Sequence, residues 1–181
     1  MAETQRTLAS VLTLLADNTS GAISPTDLRD AVETLRPGHG EIYISSSAAT
    51  TLSDTTTWVE AAGTYTLSTS PTAHWWAEAT NARLNYTGVA DSLAEVSASV
   101  SMTSGSSTQD IEIGIGKNGT ILTPSIVRRK IGTGSDVGAA PIVAQVDVST
   151  TDYLSIMIRN ITAANNVTLD LANLCVKSSP L

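Results

Sequence analysis

The amino-acid sequence predicts a mainly β protein, an antiparallel jelly-roll sandwich preceded by a short α-helical N-terminal segment. Three observations carry this expectation. Apolar residues recur with period two from about residue 41 onward. Turn-forming residues separate these runs, and no helical pattern intervenes. Serine and threonine number 22 and 26 of 181 residues, and with 15% charged residues they suit strands with hydroxyl-bearing outer faces. Segment 1–40 is therefore read as a helical anchor and 41–181 as the β domain.

Two helices are expected first. Leu8, Val11, Leu12 and Leu15 fall at i, i+3, i+4 and i+7, one face of a helix, and Leu28, Ala31, Val32 and Leu35 repeat the spacing. Ser24 suits the N-cap, Pro25 the first helical position, and Asp27 completes a capping-box-like S-x-x-D. Pro37 and the glycines of "RPGHG" end that helix.

Strands follow. "EIYIS" (41–45) opens the β pattern, and "SSSAATTLSDTTT" (45–57) reads as a polar connection. Three or four weaker strands fit within 58–87. "SLAEVSASVSM" (92–102) places Ala94, Val96, Ala98, Val100 and Met102 on one face, and "DIEIGIG" (110–116) does the same with Ile111, Ile113 and Ile115. "KNGT" (117–120) is a hairpin turn. The runs at 141–149, 153–161 and 167–176 complete the set.

Composition excludes several function classes. The net charge of −7 opposes non-specific binding to nucleic acid or to an anionic membrane surface, which needs a basic footprint. A single cysteine, Cys175, rules out an intrachain disulfide framework. No apolar run approaches the roughly 18–20 residues of a membrane-spanning helix. The N-terminus lacks a basic leader and a continuous apolar stretch, so synthesis in a cytoplasm without secretion is expected. Five N-x-S/T sequons, at Asn18, Asn85, Asn118, Asn160 and Asn166, then read as turn and edge residues. The core is unusual in having no Phe, three Trp and four Tyr.

Several stretches carry the residue types of a candidate site. "ADNTSGAISPTD" mimics a calcium loop with Gly21 at position 6, but Ala16 then occupies the first ligand position and Pro25 interrupts the loop. Helix capping uses every residue that the calcium reading leaves idle. His39 and His74 are too far apart in sequence to suggest a metal or nucleophile cluster, and no G-x-S-x-G elbow occurs. "GIGKNG" (114–119) matches G-x-G-x-x-G but leads into a strand, where a dinucleotide site needs a helix. Neither a cofactor nor a metal is expected, and no carboxylate pair suggests glycoside hydrolysis. Arg128, Arg129 and Lys130 fit a charged edge strand, with Arg128 and Lys130 sharing a face; an inter-subunit ion pair is the sharper alternative. Trp58, Trp75 and Trp76 fit core filling, or else an interface hot spot. Trp75, Trp76, Arg128 and Lys130 are thus the candidate subunit-interface residues.

Two stretches resemble known proteins. "TLASVLTLLADNTSGAISPTDLRDAVETL" is similar to the N-terminal segment of many tailed-bacteriophage structural proteins, with Asp17, Asn18, Gly21, Ile23, Ser24, Asp27, Leu28 and Arg29 carrying the match. Residues 95–176, with "IGKNG", a basic strand and "GSDVGAA", resemble the TNF-like or C1q-like jelly rolls that end phage head-fibre, decoration and tail-fibre proteins; Ser135 is an insertion in that pattern. The resemblance implies a homotrimeric virion structural protein without enzymatic activity. Tail-fibre members carry a long shaft, whereas here only a few residues join Pro37 to the first strand. A capsid decoration or short head-fibre protein is expected, made in the host cytoplasm and placed on the capsid surface. Leu8, Leu12, Leu15, Leu28 and Leu35 would anchor it to the major capsid protein. A tail-fibre or receptor-binding knob, stacking host glycans on Trp75 and Trp76, is the alternative.

Overall fold

The computed structural model describes residues 6–14, 23–68, 74–77, 82–132 and 136–181. Among the described residues two helices, α1 (Leu8–Leu14) and α2 (Pro25–Leu35), precede thirteen strands. These are β1 (Gly38–Ser47), β2 (Ala49–Thr50), β3 (Val59–Glu60), β4 (Gly63–Leu67), β5 (Trp75–Ala77), β6 (Arg83–Tyr86) and β7 (Ser92–Ser104). There follow β8 (Gln109–Lys117), β9 (Thr120–Ile121), β10 (Val127–Ile131), β11 (Gly138–Val148), β12 (Tyr153–Asn160) and β13 (Val167–Pro180).

The strands form two sheets, ordered β11-β7-β13-β1-β4 and β10-β8-β12-β6-β5, with β2, β3 and β9 added at the margins. Each pairing is antiparallel. From β6 onward the chain passes between sheets from β6 to β7, β7 to β8, β10 to β11, β11 to β12 and β12 to β13. This alternation between two sheets, with sequence-distant strands side by side, is the jelly-roll arrangement. The fold is therefore a mainly β, antiparallel jelly-roll sandwich behind a short helical segment.

The period-two pattern explains which side chains meet in the middle. Ala94, Val96, Ala98, Val100 and Met102 all point inward from β7, and Ile111, Ile113 and Ile115 do so from β8. Leu154, Ile156 and Ile158 of β12 and Leu169, Leu174 and Val176 of β13 close the core. Without Phe, interior aromatic volume among the described residues comes from Tyr65, Trp75 and Tyr86. The rings of Trp75 and Tyr86 pack tilted with centroids 5.1 Å apart. The Tyr86 hydroxyl donates to Ala90 O at 2.6 Å and lies 2.7 Å from Ser92 Oγ, which lets a phenol sit in this apolar interior.

One turn and two strand boundaries depart from or refine the expected layout. Asn118 and Gly119 both adopt positive φ, 52° and 76°, as a two-residue turn between twisted strands requires. The first strand begins at Gly38, three residues before the expected start. Gly40 faces Trp75 so closely that an added Cβ would lie 2.6 Å from the Trp75 Cβ. Glycines that look like helix terminators in the sequence are therefore also inward-facing strand residues. The connection after residue 45 is likewise partly ordered as strand, through Ser47 and β2.

Candidate functional site

The helical arm is built from its caps inward. Ser24 Oγ accepts the Asp27 amide at 3.2 Å, and the Asp27 carboxylate accepts the Ser24 amide at 2.9 Å, a reciprocal capping box with Pro25 at the first helical position. Hydrogen bonds from the Ser24 hydroxyl and amide hold the Asp27 carboxyl below its ordinary value.

The buried side of α2 is not its apolar stripe. Asp30, Ala31 and Thr34 are buried, whereas Leu28, Val32 and Leu35 are 57%, 64% and 55% exposed. At about 100° per residue these three share one side of the helix, and Asp30 and Thr34 lie well round from it. A polar clasp explains the orientation. Arg6 Nη2 lies 2.7 Å from Asp30 Oδ2, its Nε donates to the same oxygen at 2.8 Å, and its backbone amide donates to Thr34 Oγ1 at 2.8 Å. Asp30 keeps only 3% side-chain exposure, so its side of the ion pair with Arg6 is buried. On α1, Val11 is buried at 2% exposure while Leu12 is 63% exposed.

The arm meets the sandwich at β13 and beside His74. His74 Nε2 approaches Glu33 Oε1 to 3.9 Å. Burial holds His74 below its ordinary value, opposed by Glu33 and assisted by Arg36 and His39, so it is mostly neutral near pH 7 and the contact is not a standing ion pair. Nothing in the sequence linked His74 to α2, because 41 positions separate it from Glu33.

The other predicted residues fall as follows. Trp75 is 2% exposed, and its indole N–H donates to Ser178 Oγ at 3.1 Å. It is a core residue, neither an interface hot spot nor a platform for a sugar. Trp76 follows it on β5, and its side chain lies outside the described set, as do those of Leu8 and Leu15. Residues 15–22, which hold Asp17, Asn18, Ser20 and Gly21 of the calcium-like stretch, are also outside it. Arg128 lies on the edge strand β10, and its charge is used within the chain: Nη2 is 2.6 Å from Glu112 Oε1, across the β10–β8 pair. Arg159 Nη2 reaches the other Glu112 oxygen at 2.6 Å while its guanidinium stands over the Trp58 ring at 4.8 Å. Burial pushes the Glu112 carboxyl up, but the two arginines outweigh it and hold the group below its ordinary value. Arg128 thus sits on the charged edge strand expected of it, with an intrachain ion pair set by strand register and its side chain still 62% exposed. Lys130 is exposed on the same strand.

Among the described residues no group of three or more His, Cys, Asp or Glu side chains is placed to hold a metal ion. Among them, too, no helix is long and apolar enough to cross a membrane. What the arm offers chemically is apolar surface: Leu12, Leu28, Val32 and Leu35 are large, exposed and carried on two neighbouring helices.

No family model matches the chain, and no curated protein matches it. Solved structures similar to it include Eiger TNF from S. frugiperda, at 13% identity over 81% of this chain and 94% of that one, with a TM-score of 0.49. Murine APRIL is similar at 12% identity over 77% of this chain and 98% of that one, with a TM-score of 0.41.

Proposed function

We propose that the protein is a virion structural protein, a capsid decoration or short head-fibre protein. The arm binds the outer capsid surface, contacting the major capsid protein, and the jelly roll self-associates as a homotrimer and projects outward. It acts by binding and carries out no reaction. The observation supporting this most is the exposed stripe of α2. An amphipathic helix ordinarily turns its apolar face to its own core. Here the chain gives the core side to Asp30, Thr34 and Ala31, and leaves Leu28, Val32 and Leu35 in water. Such a face gains stability only when another molecule covers it.

Immunogold labelling of purified particles of the phage encoding this chain tests the reading. Label on the head is the expected result. Label confined to the tail tip, or absence of the protein from purified particles, overturns it.

A further inference from the structure

The arm and the sandwich meet over one histidine. His74 immediately precedes β5, and α2 reaches it from two sides of its ring. The ring donates to the backbone of Arg36, the residue that caps α2, and its Nε2 stands 3.9 Å from Glu33 Oε1. Only 11% of the side chain is exposed. Among the described residues Nε2 has no hydrogen-bond partner, so a buried lone pair faces a carboxylate that offers it no proton.

The ring is held in that place from both directions. His74 takes φ of 61°, a left-handed conformation uncommon for any residue but Gly. The Thr87 amide donates to its carbonyl at 2.8 Å. The next residue, Trp75, is buried, bonded to Ser178 and packed against Gly40. On the helix side only Arg36 and Pro37 join α2 to β1, which keeps the end of α2 beside the sheet.

A proton on Nε2 would bring a charge into this gap. The charged and titratable groups acting on the ring are Glu33 and Arg36 from α2 and His39 from β1. His39 in turn lies opposite Lys177 in the β1–β13 register. Glu33 is the anion of this set, and it is shared, because Arg36 Nη1 lies 3.5 Å from Glu33 Oε2. A cation on Nε2 therefore gains part of one carboxylate while losing water and meeting the Arg36 charge.

We propose that His74 is a pH-sensitive catch for the arm: protonation of its ring loosens α2 from the sandwich and frees the Leu28, Val32 and Leu35 stripe to change direction. The sign follows from linkage. Burial, opposed by Glu33, holds the docked ring below its ordinary value of 6.5. Its contribution to docking is then full above 6.5 and is lost progressively as pH falls from there through the docked value. Between about pH 7.5 and about pH 5.5 the undocked-to-docked ratio rises by at most about tenfold, the limit for a docked ring that stays neutral. The catch does not depend on what covers the stripe.

Hydrogen exchange of the full chain at about pH 7.5 and about pH 5.5, each rate divided by that of unstructured peptide at the same pH, tests it. Protection of α2 is expected to fall several-fold at the lower pH, by no more than about tenfold, with β7 and β8 unchanged. His74→Asn keeps a residue that tolerates positive φ, and its α2 protection is expected to be equal at both pH values. In His39→Asn, which removes the other of the two histidines, the fall is expected to persist. No fall in the wild type, or an equal fall in His74→Asn, overturns the proposal. If His74→Asn leaves α2 unprotected at both pH values, His39→Asn decides: a retained fall supports the catch and a lost one overturns it. Failure of the catch leaves the virion role standing, and label off the head leaves the catch standing.

Discussion

Replacing Leu28, Val32 and Leu35 together by Gln separates a docking face from a packed one. Gln is a good helix former, so α2 should persist. Burying a Leu or Val side chain completely is worth about 1.5–3 kcal/mol. The three residues retain 57%, 64% and 55% of their exposure, so covering that remainder is worth roughly 1–2 kcal/mol each. The sum of about 3–5 kcal/mol corresponds to a loss of about a hundred-fold to several thousand-fold in affinity. Titrated co-sedimentation with capsids lacking the protein measures it. The free protein should hardly notice, because polar substitutions at exposed sites cost about 0.5 kcal/mol or less each. Its Tm is expected to stay within about 6 °C of wild type. Affinity within about threefold of wild type would show that the stripe is not the attachment surface. A fall in Tm of about 10 °C would show that these residues are packed in the free protein.

Two further outcomes follow from the ion pairs and caps. Glu112 is held below its ordinary value near 4.5, so the stability it contributes is full above the unfolded value and is lost as pH falls through the folded one. Glu112→Gln should lower stability at pH 7 by about 1–3 kcal/mol and flatten the acid side of the stability curve; identical urea midpoints for variant and wild type from pH 3 to 7 would exclude the role. Ser24→Ala removes one half of the capping box and should cost about 1 kcal/mol. Hydrogen exchange reads this as faster exchange in the first turn of α2 with β7 and β8 unchanged, and equal protection in that turn would contradict it.

Much of the architecture was legible in the sequence because it is decided by nearest neighbours. Alternation along a strand assigns each side chain to one face without reference to any other element, so the inward residues of β7 and β8 were readable directly. The same holds for the Ser24–Asp27 cap, a contact across three residues, and for the Asn118-Gly119 turn, whose positive φ values suit Asn and Gly.

The site was less legible, since periodicity marks a face as apolar without saying what covers it. Leu28, Val32 and Leu35 would look the same in sequence whether they met the sandwich or water. The choice was made by Arg6, whose bonds to Asp30 and Thr34 turn the polar side inward. Trp75 could fill a core or line an interface, and only β5 lying over Gly40 and beside Ser178 places it inside. The partner of Arg128 depended on a β10–β8 register that pairs it with Glu112. The sequence by itself determined the strands, their inward faces, the helix start and the turn, because those contacts span a few residues. Only the tertiary structure decided that the arm stripe remains uncovered, because that depends on contacts such as Arg6 with Asp30 and Thr34, which lie 24 and 28 positions apart.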